Sequence, residues 1–179
     1  KLYEETDPYV NMHVFNSKSA SPGETLVAMK IAEYEDAGLE FEEVVKKVEE
    51  YIEALTTTFV LEDLTFLERN GRLTGLKRIA ANLLHIVPIM GSTPEGTICQ
   101  LDQARGMKKA MAKLVDLILD YCRKLDPKDI VIAHCNCAER AAHIKEKILE
   151  QMPDISIHIN DTRGVASLYA GNGGIIISL

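Results

Sequence analysis

The chain has 179 residues, 46% of them hydrophobic, which is enough to bury the core of one domain or of one domain and part of a second. Its formal net charge of −7 is uneven, because residues 1–53 carry 13 acidic and 5 basic side chains while the remaining residues carry 14 and 15. Neither part predicts a nucleic-acid-binding surface, since phosphates are bound by clustered lysine and arginine side chains.

The sequence predicts neither a membrane span nor secretion. It contains no run of about 18 apolar residues, and its N-terminus lacks the basic and then apolar pattern of a signal peptide. Four cysteines in a chain of this size do not indicate a disulfide framework. Together these features favour a cytoplasmic protein.

The N-terminal third of the chain predicts one strand and two helices. The strand covers residues 11–16, and a small polar run, residues 17–23, separates it from a helix that begins near Glu24 and ends at Gly38. A second helix is predicted over residues 40–55, where apolar residues recur at helical spacing. Because one strand cannot form a sheet, this segment has the pattern of a remnant of a larger α/β unit.

The stretch FVLEDLTFLERNGRLTG, residues 59–75, predicts a strand, a one-turn helix and a tight turn in succession. Arg72 directly follows the Asn-Gly turn, which restricts its position. Arg72 has two interpretations: an exposed side chain paired with Glu62 or Asp63, which would contribute little to stability, or a contact for an anion or a partner. The sequence pattern leaves both open.

The remaining residues alternate between helices and strands, which describes a two-layer α/β domain. Pro88 favours an edge strand or the first position of a strand, because proline cannot donate a hydrogen bond to a neighbouring strand. The predicted elements are a helix over 76–84, strands over 86–90 and 97–101, a helix over 105–124, a strand over 130–133, a helix over 138–151, a strand over 155–159 and a last strand over 175–177, which follows the glycine-rich residues 171–174.

His134, Cys135, Cys137 and His143 suggest a zinc site, since two thiols and two imidazoles can complete a tetrahedron. However, the Cys-x-Cys spacing is unusual for zinc, and the cysteines end an apolar strand, where free thiols commonly pack as small hydrophobic groups. We therefore expect no metal. No phosphate-binding loop, Ser-His-Asp order or paired-carboxylate motif predicts an enzyme either.

Four motifs occur in an order found in a known family. NSKSASPG is similar to a D-S-K-x-x-S-x-G loop, with Asn16 in place of aspartate, and FVLEDLTFLERNGRLT is similar to a strand followed by a G-G-R-like turn, with Asn70 in place of the first glycine. IVPIM and QARGMKKAM are similar to a P-I hairpin followed by an R-G-x-K-K-A helix. GVASLYAGNGG stands where the family has a strand and then H-x-G-P-G, with Tyr169 for histidine and Asn172 for proline. Together they resemble the DegV family of bacterial fatty-acid-binding proteins.

The resemblance implies a DegV-like α/β fold, also called the EDD fold and related to the dihydroxyacetone kinase domain. Residues 1–56 are then expected to be the remnant of an α/β/α first domain, and residues 57–179 a second α/β domain with a mixed sheet. The implied function is non-catalytic: the protein encloses a long-chain fatty acid and presents its carboxylate to a fatty acid kinase. No cofactor is implied beyond the bound fatty acid.

The resemblance also implies site residues. Arg72 is expected to contact an anion or a partner, and Tyr169, Gly171 and Gly173 are expected near the carboxylate. The family's earlier serine- and threonine-rich loops, which bind the carboxylate, have no counterpart, because the chain begins after them. Flexible methionines suit an adaptable acyl chain, so the candidate acyl tunnel is the helix face formed by Met107, Met111, Leu114, Val115 and Ile118.

Two other functions stay open at this point. One is a kinase-like enzyme of the dihydroxyacetone kinase fold group, which would need a covalent histidine or a nucleotide motif. The other is an isolated domain with a structural or partner-docking role. In addition, the apolar helix faces of residues 1–56 lack a complete sheet to cover them, so self-association of the chain is expected.

Overall fold

The computed structural model describes residues 11–73 and 85–179. The predicted helix over 76–84 lies outside the described residues. No described helix combines the length and the apolar character that crossing a membrane requires. The elements in chain order are α1 (Pro22–Asp36), α2 (Phe41–Ala54), β1 (Thr57–Val60), α3 (Thr65–Arg69), β2 (Ile86–Ser92), β3 (Ile98–Arg105), α4 (Met107–Leu125), β4 (Asp129–His134), α5 (Ala138–Leu149), β5 (Ser156–Asp161), α6 (Gly164–Ala170) and β6 (Ile175–Ser178).

The described strands form one mixed sheet in the order β3-β2-β1-β6-β4-β5. The β4–β5 pair is parallel and the other pairs are antiparallel. The prediction of an edge position for Pro88 is wrong, because β2 lies between β3 and β1. Pro88 is tolerated there because β1 pairs with β2 at Met90 and Gly91, so the missing N–H of Pro88 does not face a ladder partner on β1.

One face of the sheet is covered by α4 and α5. Alternate residues of a strand share a face, and Ile130 and Ile132 of β4 join Ile175 and Ile177 of β6 in one hydrophobic cluster with these helices. Leu114 of α4 is fully buried in the same cluster. Complete burial of each such side chain contributes about 1.5–3 kcal/mol, so this cluster is the main core of the described residues.

The opposite face of the sheet is covered by α1, which packs against β4 and β6. Leu26 of α1 is fully buried, and Val27 joins Val44, Val48 and Ile52 in a cluster between α1 and α2. Of the two helices of the expected first-domain remnant, α1 therefore lies on the chain's own sheet and α2 packs against α1. The domain boundary at residue 56 and the self-association of the chain stay predictions.

The predicted strand over residues 11–16 is wrong, because these residues form no regular element. The described chain offers them no neighbouring strand to complete a ladder, and Val14 is 82% exposed. The predicted fold class is otherwise confirmed: the chain is an α/β protein with a mixed sheet.

Lys30 ties α1 to the sheet and to α2. Its ammonium group is 2.5 Å from Glu33 Oε2 and 3.8 Å from Asp129 Oδ2 at the start of β4, while the residue as a whole is only 9% exposed. The same group lies 5.6 Å from the centre of the Tyr51 ring of α2. Burial, followed by the carboxylate of Asp129, raises the pKa of Tyr51 to about 12. One buried cation therefore joins three elements.

We predict that Lys30→Ala lowers the free energy of unfolding by about 1–3 kcal/mol, because Asp129 loses a charged partner in a poorly hydrated site. Amide exchange in α1 and α2 should increase with it. Lys46→Ala, at an exposed position of α2, is the matched control. Equal stability of the two variants in urea titrations would contradict the role given to Lys30.

Candidate functional site

A cavity of about 430 Å³ lies on the α1 side of the sheet. Its floor is formed by β1 and β6, and its walls by the loop before α1, the β2–β3 hairpin, α3 and α6. Most of its lining is apolar, and the apolar residues at its centre are Phe59, Leu61, Leu67, Ile98, Ala170 and Ile176. A cavity of this size and character suits an apolar small molecule.

The loop before α1 has a specific backbone conformation. Lys18 and Ser21 both have positive φ angles, 51° and 55°. Asn16 Oδ1 accepts the Lys18 N–H at 3.2 Å, and Ser17 Oγ both accepts the Ser19 N–H and donates to the Ser19 carbonyl. These side chains satisfy backbone groups in the turn, so the loop places Ser19 at the cavity wall. Asn16 supplies the same kind of acceptor oxygen as the aspartate that it replaces.

A chain of hydroxyl groups joins this loop to the sheet. Ser19 Oγ lies 2.6 Å from Thr57 Oγ1 of β1, and Thr57 Oγ1 lies 2.9 Å from Ser178 Oγ of β6. Ser19 and Thr57 line the cavity, whereas Ser178 is fully buried. We call these three side chains the hydroxyl relay.

Arg72 and Tyr169 lie together at the cavity. The guanidinium carbon of Arg72 is 5.3 Å from the centre of the Tyr169 ring, a cation–π arrangement. Arg72 Nη1 also donates a 2.6 Å hydrogen bond to the carbonyl of Asn70. Within residues 11–73 and 85–179 Arg72 forms no ion pair: Glu62 binds Arg140, and Asp63 binds Thr65. The surface ion pair with Glu62 or Asp63, which is one of the two interpretations of Arg72, is therefore not formed.

Gly171 and Gly173 lie in the loop between α6 and β6, next to the cavity rather than in its wall. Gly173 has a φ of 83°, and a Cβ on it would lie 2.7 Å from Glu62 Cγ, so glycine is needed there. Arg140 donates to the Gly173 carbonyl and, at 2.8 Å, to Glu62 Oε1. This contact holds the loop that follows Tyr169, and so it positions the tyrosine indirectly.

Met107, Met111 and Leu114 lie on the opposite face of the sheet. Met107 and Met111 line a groove of about 580 Å³ between α4 and α5, together with Val115. Leu114 is fully buried in the core beneath α4, as is Ile118. The structure therefore brings Arg72 and Tyr169 together at one cavity, and it does not bring the methionines to that cavity.

The two cysteines after β4 pack on different sides of the sheet. Cys135 contacts the apolar cluster beside the cavity, while Cys137 packs toward α4 and α5, with its sulfur 3.4 Å from the Gly174 carbonyl. Burial raises the pKa of the Cys137 thiol, against an opposing effect of Arg140, which disfavours the reactive thiolate. In the described part of the chain no three His, Cys, Asp or Glu side chains converge as metal ligands do.

Residues 2–179 match the family described as "Uncharacterised protein, DegV family". A DegV domain-containing protein of Streptococcus pyogenes serotype M3 is 34% identical over 173 residues, which cover 97% of this chain and 61% of the relative. The chain belongs to the DegV family.

Solved structures of DegV proteins have the same fold. A DegV protein of Ruminococcus gnavus with vaccenic acid is 51% identical, with a TM-score of 0.93 over 99% of this chain and 63% of that one. The fatty acid kinase B3 protein of Streptococcus pneumoniae, loaded with linoleic acid, is 33% identical, with a TM-score of 0.86 over 99% and 62% of the two chains. The chain thus spans less than two thirds of the length of these relatives.

The sequence interpretation missed the hydroxyl relay and α6. Ser19 belongs to a polar loop, and Thr57 is one of three consecutive threonines at the start of a buried strand. Most buried hydroxyl groups in proteins have a hydrogen-bond partner, so this run is a signal for Thr57, although Thr58 Oγ1 is buried without a partner among the described residues. The strand expected before the glycine-rich loop is wrong, because Gly164–Ala170 form the helix α6. This helix has only seven residues, two of them the exposed apolar Val165 and Leu168, so its sequence carries no amphipathic signal.

Gly23 of this DegV chain makes the contact between Ser19 and Thr57 possible, because a Cβ on Gly23 would lie 2.0 Å from Ser19 Oγ. We predict that Gly23→Ala displaces Ser19 and lowers the free energy of unfolding by about 1–3 kcal/mol, although alanine is favoured over glycine in a helix. The double variant Gly23→Ala/Ser19→Gly should recover part of this loss, because it restores the space. A Gly23→Ala chain that is more stable than the wild type in urea would contradict the contact.

Proposed function

We propose that the chain binds a long-chain fatty acid in the 430 Å³ cavity and that the protein presents the carboxylate to a fatty acid kinase. The observation that carries the proposal is the combination of an apolar cavity with one cation, Arg72, which forms no ion pair with the described residues. Burial of an acyl chain contributes about 0.8 kcal/mol per CH₂. The carboxylate must keep water or a cation as a partner, because an unpaired charge is costly to bury.

We assign Arg72 to the head group. Its guanidinium has five donors, of which the Asn70 carbonyl takes one at Nη1. The cation–π contact with Tyr169 restricts the orientation of the guanidinium plane. The other N–H groups of Arg72 are therefore available to donate hydrogen bonds to a carboxylate. Tyr169 adds a neutral hydroxyl in the place of the family's histidine, and Gly171 and Gly173 act through the loop that positions Tyr169.

The ligands of DegV relatives support a long-chain fatty acid as the ligand class. Crystal structures at 51%, 33% and 27% identity hold vaccenic, linoleic and heptadecanoic acid. The kinase-partner role is supported by the relative that is itself the fatty acid kinase B3 protein. In this proposal the chain does no chemistry: the kinase activates the carboxylate, and the DegV protein supplies solubility, burial and orientation.

We also propose that the protein is cytoplasmic. All four cysteines are free thiols, which is the usual state in a reducing compartment. A kinase that phosphorylates the carboxylate would meet its ATP in the same compartment.

We predict that Arg72→Gln weakens the binding of oleic acid by about tenfold or more, because a hydrogen bond to a charged group is lost. The binding of methyl oleate, which has the same acyl chain and no charge, should be unchanged. Arg69→Gln, at an exposed arginine that ends α3 three residues before Arg72, is the matched control. Equal losses for the acid and the ester, or no loss for either, would contradict the assignment.

A further inference from the structure

The hydroxyl relay has one proton more than it has hydrogen bonds. Ser19, Thr57 and Ser178 carry one hydroxyl proton each, and two hydrogen bonds join their oxygens, at 2.6 and 2.9 Å. Within the described chain none of the three hydroxyl oxygens has a further partner. One of the three hydroxyl groups therefore has a proton that the relay does not use.

The position of this extra proton follows from burial. Ser178 is fully buried, and a buried donor without an acceptor is destabilising. Ser178 therefore donates to Thr57, and the extra proton belongs to Ser19 or to Thr57. Both of these side chains line the cavity. The relay consequently directs one O–H donor into a cavity whose other walls are mainly apolar.

The donor is held in place by the loop around it. On one side, Gly23 leaves room for Ser19 Oγ. On the other side, Gly96 of the β2–β3 hairpin lies so close to the loop that a Cβ on Gly96 would be 2.9 Å from the Lys18 backbone. A donor in a restricted position can discriminate between ligands by where they carry an acceptor, because an unmatched polar group loses its hydrogen bonds.

We propose that the hydroxyl relay is a second polar subsite, which accepts an oxygen atom on the acyl chain. The ligand class is a hydroxylated or otherwise oxygenated long-chain fatty acid, and this inference rests on the proposed function. Besides an oxygen atom on the acyl chain, the relay could bind an oxygen of the carboxylate. Arg72 competes for it more effectively, because a guanidinium carries a charge and a serine or threonine hydroxyl does not.

The test uses stearic acid and a series of stearic acids with one hydroxyl group at successive carbons. A hydroxyl in an apolar part of the cavity loses hydrogen bonds to water, whereas one beside the relay regains a partner. We expect one or two adjacent positions to bind about 2- to 10-fold more tightly than the other isomers. The Ser19→Ala/Thr57→Val variant should abolish this preference, so that the favoured isomers bind no more tightly than the others. Ser92→Ala, a hydroxyl on the same cavity wall outside the relay, should preserve it.

The outcomes separate the two proposals. If stearic acid and all its hydroxylated forms fail to bind, the proposed function fails and the subsite fails with it. If stearic acid binds and the isomers share one affinity, only the subsite is overturned, and the wild-type series decides this even if the double variant is unstable. If the double variant binds but keeps the wild-type preference among the isomers, the relay does not bind the hydroxyl of the acyl chain and the proposed subsite is wrong.

Discussion

The hydrogen bonds at Thr57 are the contact on which the rest of the site depends. Thr57 stands at the start of β1, and its hydroxyl joins Ser178 of β6 to Ser19 of the loop before α1. The loop can approach the sheet this closely because residue 23 is glycine. With the loop fixed there, α1 follows along the sheet, where Lys30 secures it to β4, and the space left between the loop, the hairpin and α6 is the cavity.

The two faces of the sheet have different roles. The α4–α5 face is filled by interlocking isoleucine and leucine side chains, as in an ordinary core. The other face is covered by α1 at one end and left hollow at the other, where Arg72 and Tyr169 stand at the cavity. A hollow apolar face with two cations at its edge, Arg72 and the Lys18 that pairs with Glu53, and with a few hydroxyl groups, is suited to a long amphipathic molecule. This is the class of ligand held by solved DegV relatives.

Local patterns in the sequence predict the described helices other than α6, the strands of the sheet and the Asn-Gly-Arg turn, because periodicity and turn chemistry act over a few residues. They do not predict contacts between distant residues, and Ser19 and Thr57 are 38 positions apart. The stripe of Met107 and Met111 has the same pattern whether it faces a ligand or a neighbouring helix. The predicted strand over residues 11–16 fails for a related reason, since strand formation depends on a partner that the segment itself does not specify.

The most direct test is a crystal structure of the chain with stearic acid. The account predicts one acyl chain in the cavity on the α1 side of the sheet, against Phe59 and Ile176, with its carboxylate within hydrogen-bond distance of Arg72. Electron density for the acyl chain in the groove between α4 and α5, against Met107 and Met111, would contradict this account. It would place the ligand on the helix face that is named as the candidate acyl tunnel in the sequence analysis.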